Sequence, residues 1–244
     1  MAKLSSHLKC IAPCMRGFGY SSYNKEITGL QDMAEDLRLF VSEHLKMDKF
    51  YIIGHQLGGC VAMELAHLIP ESILGVLNFA MFPLRGLKVP GFKIETMEQI
   101  QSLPEYKGFY QMIKNKDLDY YKEGFSQLVN VSGIVDEYAL RQLAIMNRQR
   151  NFWQVCLGVH NFNFEDKIND LKMPIKLIYG MKDKVCPMDR GLEWKEQYLD
   201  SGNIKVTGFP NARHFPLEEQ EKNSIEHILD FIGRGKNLMP ESQA

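Results

Sequence analysis

Four short apolar runs constrain the chain most: Phe50–Ile53, Ile73–Phe79, Ile175–Tyr179 and Ile204–Phe209. A strand with one wet face alternates apolar and polar residues. A continuous apolar run is covered on both faces, as the strands of a parallel sheet are. Helical patterns separate these runs. Leu30, Met33, Ala34, Leu37 and Val41 recur at helical spacing. They follow Thr28-Gly29-Leu30-Gln31, which reads as a capping box. Leu57–Leu68 reads as a helix closed by Pro70, and Ile225, Ile228, Leu229 and Ile232 line one face of a C-terminal helix. Strands alternating with helices predict an α/β domain, with a mainly parallel sheet and helices on both faces. Lys9–Ala12 is a weaker strand candidate.

Residues 81–170 lack such runs and are rich in Tyr, Phe, Met and Gln, which predicts a helical insertion with a small core of its own. The expected organisation is therefore 1–80 as the N-terminal part of the core, 81–170 as a helical cap, 171–235 as the C-terminal part and 236–244 as a tail. A chain of 244 residues, 45% of them hydrophobic, can bury such a core without disulfides or metals. The net charge is −1 with no basic stripe, which argues against nucleic acid as a partner. No run of 18 apolar residues offers a membrane span.

The cysteines, Cys10, Cys14, Cys60, Cys156 and Cys186, are odd in number and scattered, which points to reduced thiols in the cytoplasm. Cys10 and Cys14 have no second Cys/His pair at zinc spacing, so no metal site is expected. No phosphate loop of the GxxxxGK type occurs, so no nucleotide cofactor is expected. The first 25 residues carry Lys3, Lys9, Arg16 and Lys25 and no acid, which leaves a mitochondrial address open. Residues 10–22, however, read as part of the folded domain.

Three motifs carry chemistry. Tyr51-Ile52-Ile53-Gly54-His55-Gln56-Leu57-Gly58-Gly59 reads as a strand, a sharp turn and a helix. Gly54 and Gly58 stand where the G-x-S-x-G nucleophile elbow needs small residues, and Gln56 stands where it needs Ser. Asp183 follows the run Ile175–Tyr179, where an orienting carboxylate would sit. His214 lies in the loop Phe209–Glu218, after the last strand. Each has a bland alternative, a turn or capping Asp and a solvated loop His. His55 either lines a pocket or packs beneath the helical segment. Arg148, Arg150, Phe152 and Trp153 read as packing with a solvated rim. Met15, Met33, Met63 and Met81 read as core filler.

The order elbow, acid, His resembles the α/β-hydrolase superfamily, in its branch of small esterases and lactonases with a helical cap. Ala12-Pro13-Cys14-Met15-Arg16-Gly17-Phe18-Gly19-Tyr20-Ser21 is similar to the family's D-x-R-G-x-G-x-S loop, with Cys14 in place of Asp. Leu171-Lys172-Met173-Pro174 and Phe215-Pro216-Leu217-Glu218 are also family-like. The resemblance covers about residues 8–80 and 168–233. It implies that Asp183 orients the imidazole of His214, the general base, and that the Leu57 N–H serves the oxyanion hole.

Two departures stand against activity. The Gln56 side chain is a neutral amide with no hydroxyl or thiol to deprotonate. Cys60, one helical turn on, should point elsewhere. Second, the family carries three strands before the D-x-R-G loop, and a His-Gly motif after the third supplies the other oxyanion donor. Here those strands have no counterpart, and no His is followed by Gly. Either Lys9–Ala12 pairs directly with Phe50–Ile53, or the natural chain is longer at its N-terminus. The expected function is a catalytically inactive relative with a binding or structural role. It would take a small molecule in the cleft beneath the cap or a protein partner. The alternative is a hydrolase of small esters or lactones that uses water activated by His214 and Asp183, with Gln56 positioning it.

Overall fold

The computed structural model describes residues 3–87, 93–128, 136–198 and 202–236. Its four strands are β1 (Phe50–His55), β2 (Ile73–Phe79), β3 (Ile175–Gly180) and β4 (Ile204–Phe209), paired in that order and all parallel. The continuous apolar runs are the strands, each matched to within two residues. Neighbouring side chains divide between two cores, as the period of two requires. Val76 and Leu177 enter one core and Leu77 and Ile178 the other. The first core is covered by α1 (Leu30–Leu39), α2 (Leu57–Leu68) and α8 (Asp189–Gln197), and the second by α10 (Glu221–Lys236). Ile228 and Ile232 of α10 are buried as the sequence spacing predicted.

Between β2 and β3 lie α3 (Met97–Ser102), α4 (Pro104–Asn115), α5 (Leu118–Leu128), α6 (Asp136–Asn147) and α7 (Phe152–His160). They share a third core that includes Ile100, Met112, Ile113, Leu143 and Phe152. Phe215, partly buried, joins this core from the loop that carries His214. Asn151 ties the segment down at its other end. Its Nδ2 donates to the Arg16 carbonyl at 2.7 Å, and the Arg150 N–H donates to the Gly17 carbonyl at 2.9 Å. Arg16 in turn pairs with Asp36 of α1.

Three expectations are corrected or fall outside the described residues. Lys9–Ala12 is not a strand and does not pair with β1. Leu8 packs on the α10 face and Met15 on the α1 face, so this stretch passes from one face of the sheet to the other instead of running beside β1. The capping box expected at Thr28 and Gln31 does not form, and the N-cap makes no side-chain bond. Gly29 is the N-cap, so Asp32 becomes the third helical residue, and its Oδ2 accepts from the Thr28 N–H at 2.6 Å and Oγ1 at 2.9 Å. The carboxylate is the stronger acceptor for that turn. Of the expected tail, residues 237–244 lie outside the described residues.

Trp194 of α8 is fully buried against Phe162 and Phe164, and its Nε1 donates to the Phe82 carbonyl at 3.0 Å. It joins α8 to both ends of the helical segment. Trp194→Ala is expected to lower unfolding free energy by about 3–5 kcal/mol in urea denaturation, the usual cost of a large aromatic cavity; a loss below 1 kcal/mol would contradict this packing.

Candidate functional site

The site forms because parallel strands all end on the same side. Gln56 directly follows β1, Asp183 follows β3, and His214 follows β4. A parallel sheet thus brings together residues separated by more than a hundred positions.

Gln56 makes the turn from β1 into α2 with φ 49° and ψ −112°, a conformation that L-residues rarely adopt. Such a backbone costs about 1–3 kcal/mol and persists only where its surroundings enforce it. Hydrogen bonds do so on both sides. The Gln56 N–H donates to the Phe79 carbonyl at 3.0 Å, and its carbonyl accepts from the Gly59 N–H at 2.9 Å. Gly54 is required here, because a Cβ would lie 2.5 Å from Asn78 Oδ1 and 2.6 Å from the Gly59 Cα. Gly58 is different. A Cβ there meets nothing within 4 Å, so the second glycine of the motif is not sterically needed, contrary to the reading from sequence. Leu57 opens α2, where an N–H has no carbonyl one turn back to bond.

The side chains form one chain of hydrogen bonds. Gln56 Nε2 lies 2.8 Å from His214 Nε2, and His214 Nδ1 lies 2.9 Å from Asp183 Oδ2. An amide nitrogen only donates, so His214 Nε2 accepts and its proton sits on Nδ1, donated to the carboxylate. Asp183 Oδ1 accepts from the Val185 N–H at 2.8 Å and the Cys186 N–H at 3.0 Å. Burial raises the Asp183 pKa, but His214 and these N–H groups outweigh it and hold the carboxyl below its ordinary value. Asp183 and His214 are both buried. The structure brings together the three residues singled out in the sequence, Gln56, Asp183 and His214.

It missed what holds the His214 backbone. The His214 N–H donates to the Leu128 carbonyl at the end of α5, at 2.9 Å. Its own carbonyl accepts from His55 Nε2 at 2.8 Å. The His55 ring sits 5.4 Å from that of His214 and 5.1 Å from that of Phe215. His55 therefore packs against His214 and Phe215 and braces the His214 backbone. Burial drives its pKa down to about 4. No signal in the sequence links Leu128 to His214; for His55, its place in the elbow was the only hint. Within the helical segment, Tyr106 Oη and His160 Nε2 form a further pair at 2.8 Å.

The remaining candidates resolve simply. Cys60 is fully buried and its thiol pKa lies well above the ordinary value because of that burial, so it is no replacement nucleophile. Arg148 lies over the Tyr20 ring at 4.4 Å, a cation–π contact rather than only a solvated rim. All five cysteines are unpaired. Among the described residues, donor atoms of Asp183, Cys186 and His214 lie within 4.8 Å of one another, close enough to hold a cation, although His214 Nδ1 and Asp183 already engage each other. No helix of the described residues is long and apolar enough to cross a membrane.

The fold is the α/β-hydrolase fold, and the chain is similar to hydrolases and esterases that share it. A family model described as alpha/beta hydrolase fold matches residues 1–80. The chain is 21% identical over 242 residues to 2-hydroxy-6-oxo-2,4-heptadienoate hydrolase of Pseudomonas putida, covering 95% of this chain and 81% of that protein. It is 24% identical over 229 residues to the pimeloyl-[acyl-carrier protein] methyl ester esterase of Aeromonas hydrophila, covering 89% and 82%. A thermophilic esterase from Thermogutta terrifontis superposes with a TM-score of 0.72 at 20% identity, over 96% of this chain and 83% of that one.

Two measurements check this geometry. Gly54→Ala should cost about 1–3 kcal/mol in urea denaturation, the usual penalty of forced overpacking, whereas Gly58→Ala should be neutral or stabilising by up to about 1 kcal/mol. Equal losses at both positions would contradict the elbow described. His55 supplies a pH signature. Its folded pKa lies below its unfolded value near 6.5, so its contribution is complete above that pH and is lost as pH falls towards about 4. The loss amounts to about 3 kcal/mol. His55→Gln should flatten the decline in unfolding free energy between pH 7 and 4 by about that amount; an unchanged slope would show that His55 is not held neutral.

Proposed function

We propose that this chain is a non-catalytic α/β-hydrolase-fold protein whose cleft binds a ligand or partner and does not turn it over. One observation carries the reading. The Gln56 amide occupies the basic nitrogen of His214, at the position from which a nucleophile would be deprotonated. Asp183 and His214 keep the geometry of an acid–base couple, but the amide offers it no acidic hydroxyl or thiol. Residues 81–170 act as the cap in this reading, with 1–80 and 171–235 as the two parts of the core. The Leu128–His214 bond and the packing of Phe215 support that assignment. Five unpaired cysteines favour a reducing compartment, and the reading places the protein in the cytoplasm.

A second reading rests on the intact Asp183–His214 pair. In it, His214 activates a water that Gln56 positions, and the chain hydrolyses small esters or lactones; one relative is named as a methyl ester esterase. Hydrolysis of p-nitrophenyl esters separates the two, since neither has a side-chain nucleophile for fluorophosphonate to label. For the non-catalytic protein, wild type should hydrolyse esters no faster than His214→Ala. Ester turnover that His214→Ala abolishes would overturn the proposal and establish the second reading.

A further inference from the structure

Asp183 and His214 have a third neighbour that the acid–base couple does not use. Cys186 follows Asp183 by one short turn, and it is fully buried. The turn after β3 brings it back beside the carboxylate. Asp183 Oδ1 accepts from the Cys186 N–H at 3.0 Å, and the Asp183 N–H donates to the Gly180 carbonyl at 3.1 Å. Donor atoms of Asp183, Cys186 and His214 all lie within 4.8 Å of one another, and Nδ1 is the ring nitrogen that faces the carboxylate, at 2.9 Å. The Asp183 charge is buried, and among the described residues His214 is its ion-pair partner, with no Lys or Arg beside it. The expectation of no metal rests on the spacing of Cys10 and Cys14, whereas Cys186 and His214 meet only once β3 and β4 have paired.

We propose that Asp183, Cys186 and His214 form a zinc site, in which Zn2+ takes the place of the proton between His214 Nδ1 and Asp183 Oδ2. A thiolate, an imidazole and a carboxylate are a donor set that suits zinc and not Mg2+ or Ca2+. Tetrahedral zinc sets such donors about 3.3–3.6 Å apart. The Asp183–His214 pair therefore opens by about 0.5 Å and the thiol closes by about 1 Å at most, shifts that side-chain torsions supply. The charges balance. Zn2+ meets one carboxylate and one thiolate, so the buried site becomes neutral. Burial and the Asp183 charge raise the thiol pKa, so metal-free Cys186 keeps its proton, and coordination removes it. One proton, from Cys186, thus leaves for solvent with each zinc bound. The ring keeps its proton, which moves from Nδ1 to Nε2. Gln56 suits both states. In the metal-free state its Nε2 donates to the ring; after an amide rotation its Oε1 accepts from the Nε2–H, the support that a metal-bound imidazole usually has. Three protein donors leave one coordination position for water or an added anion. The proposal concerns binding and does not depend on whether the cleft turns over an ester.

The test is titration of the metal-free, reduced protein with Zn2+. Equilibrium dialysis should find one zinc per chain, and a pH indicator one proton released with it. Co2+, used as a probe, should give the thiolate-to-cobalt charge-transfer band of a sulfur ligand. Nitrogen-15 NMR should show the His214 ring proton moving from Nδ1 to Nε2 as zinc is added. Cys186→Ser should abolish the cobalt band and weaken zinc binding by about 100-fold, whereas Cys14→Ser, at the exposed thiol, should change neither. Should Cys186→Ser fail to fold, the wild-type cobalt and NMR readouts decide without it. No zinc retained on dialysis against micromolar zinc would overturn the proposal. So would binding that is lost in Cys14→Ser and kept in Cys186→Ser, a cobalt complex with no sulfur band, or a ring proton that stays on Nδ1 with zinc bound. None of these readouts involves ester turnover, so their outcome is separate from that of the non-catalytic reading.

Discussion

The hydrogen bond between Asp183 Oδ2 and His214 Nδ1 organises the rest of the site, because both groups are buried and neither could stay there alone. A buried carboxylate is costly unless it accepts several hydrogen bonds, and Asp183 accepts them from His214, Val185 and Cys186. That requirement fixes the imidazole proton on Nδ1, leaving Nε2 as an acceptor facing the elbow. In a catalyst, this acceptor would wait for a hydroxyl proton. Here the Gln56 amide lies against it at 2.8 Å. The account thus rests on one satisfied hydrogen-bond chain, in which the last link is a donor that keeps its proton.

The elbow backbone is the second constraint. Gln56 holds a positive φ although an amide side chain gains nothing from strain that evolved to expose a nucleophile. The strain is sustained by bonds to Phe79 and Gly59 and by the close approach at Gly54. On the proposed reading, backbone architecture and reactive chemistry are separable: the elbow is kept while its side chain is an amide. His55 and Leu128 hold the His214 main chain from either side.

Much of this was legible in the sequence, for identifiable reasons. Ile73–Phe79 and Ile204–Phe209 gave the observed strand limits because burial on both faces leaves no polar alternation to blur the signal. Gln56, Asp183 and His214 were found because each lies at a strand end, where local pattern fixes position. Other features were not legible. Lys9–Ala12 looks like a strand, but strand formation needs a partner, and partners are set by tertiary structure. The capping box expected at Thr28 is absent because backbone conformation makes Gly29, which has no side chain, the N-cap. Gly58 looked as constrained as Gly54, although only Gly54 faces a crowded backbone. Contacts such as Leu128 with His214 join distant segments and leave no local trace.

On the proposed reading, the His214 acceptor filled by the Gln56 amide favours binding over turnover. The central claim is the hydrogen-bond chain itself, and nitrogen-15 NMR of the His214 ring tests it most directly. The account predicts a protonated Nδ1 and an unprotonated Nε2 at neutral pH, with the Gln56 side-chain amide coupled to that Nε2 and the coupling lost in Gln56→Ala. A proton found on Nε2, or an Nε2 signal unchanged in Gln56→Ala, would contradict it.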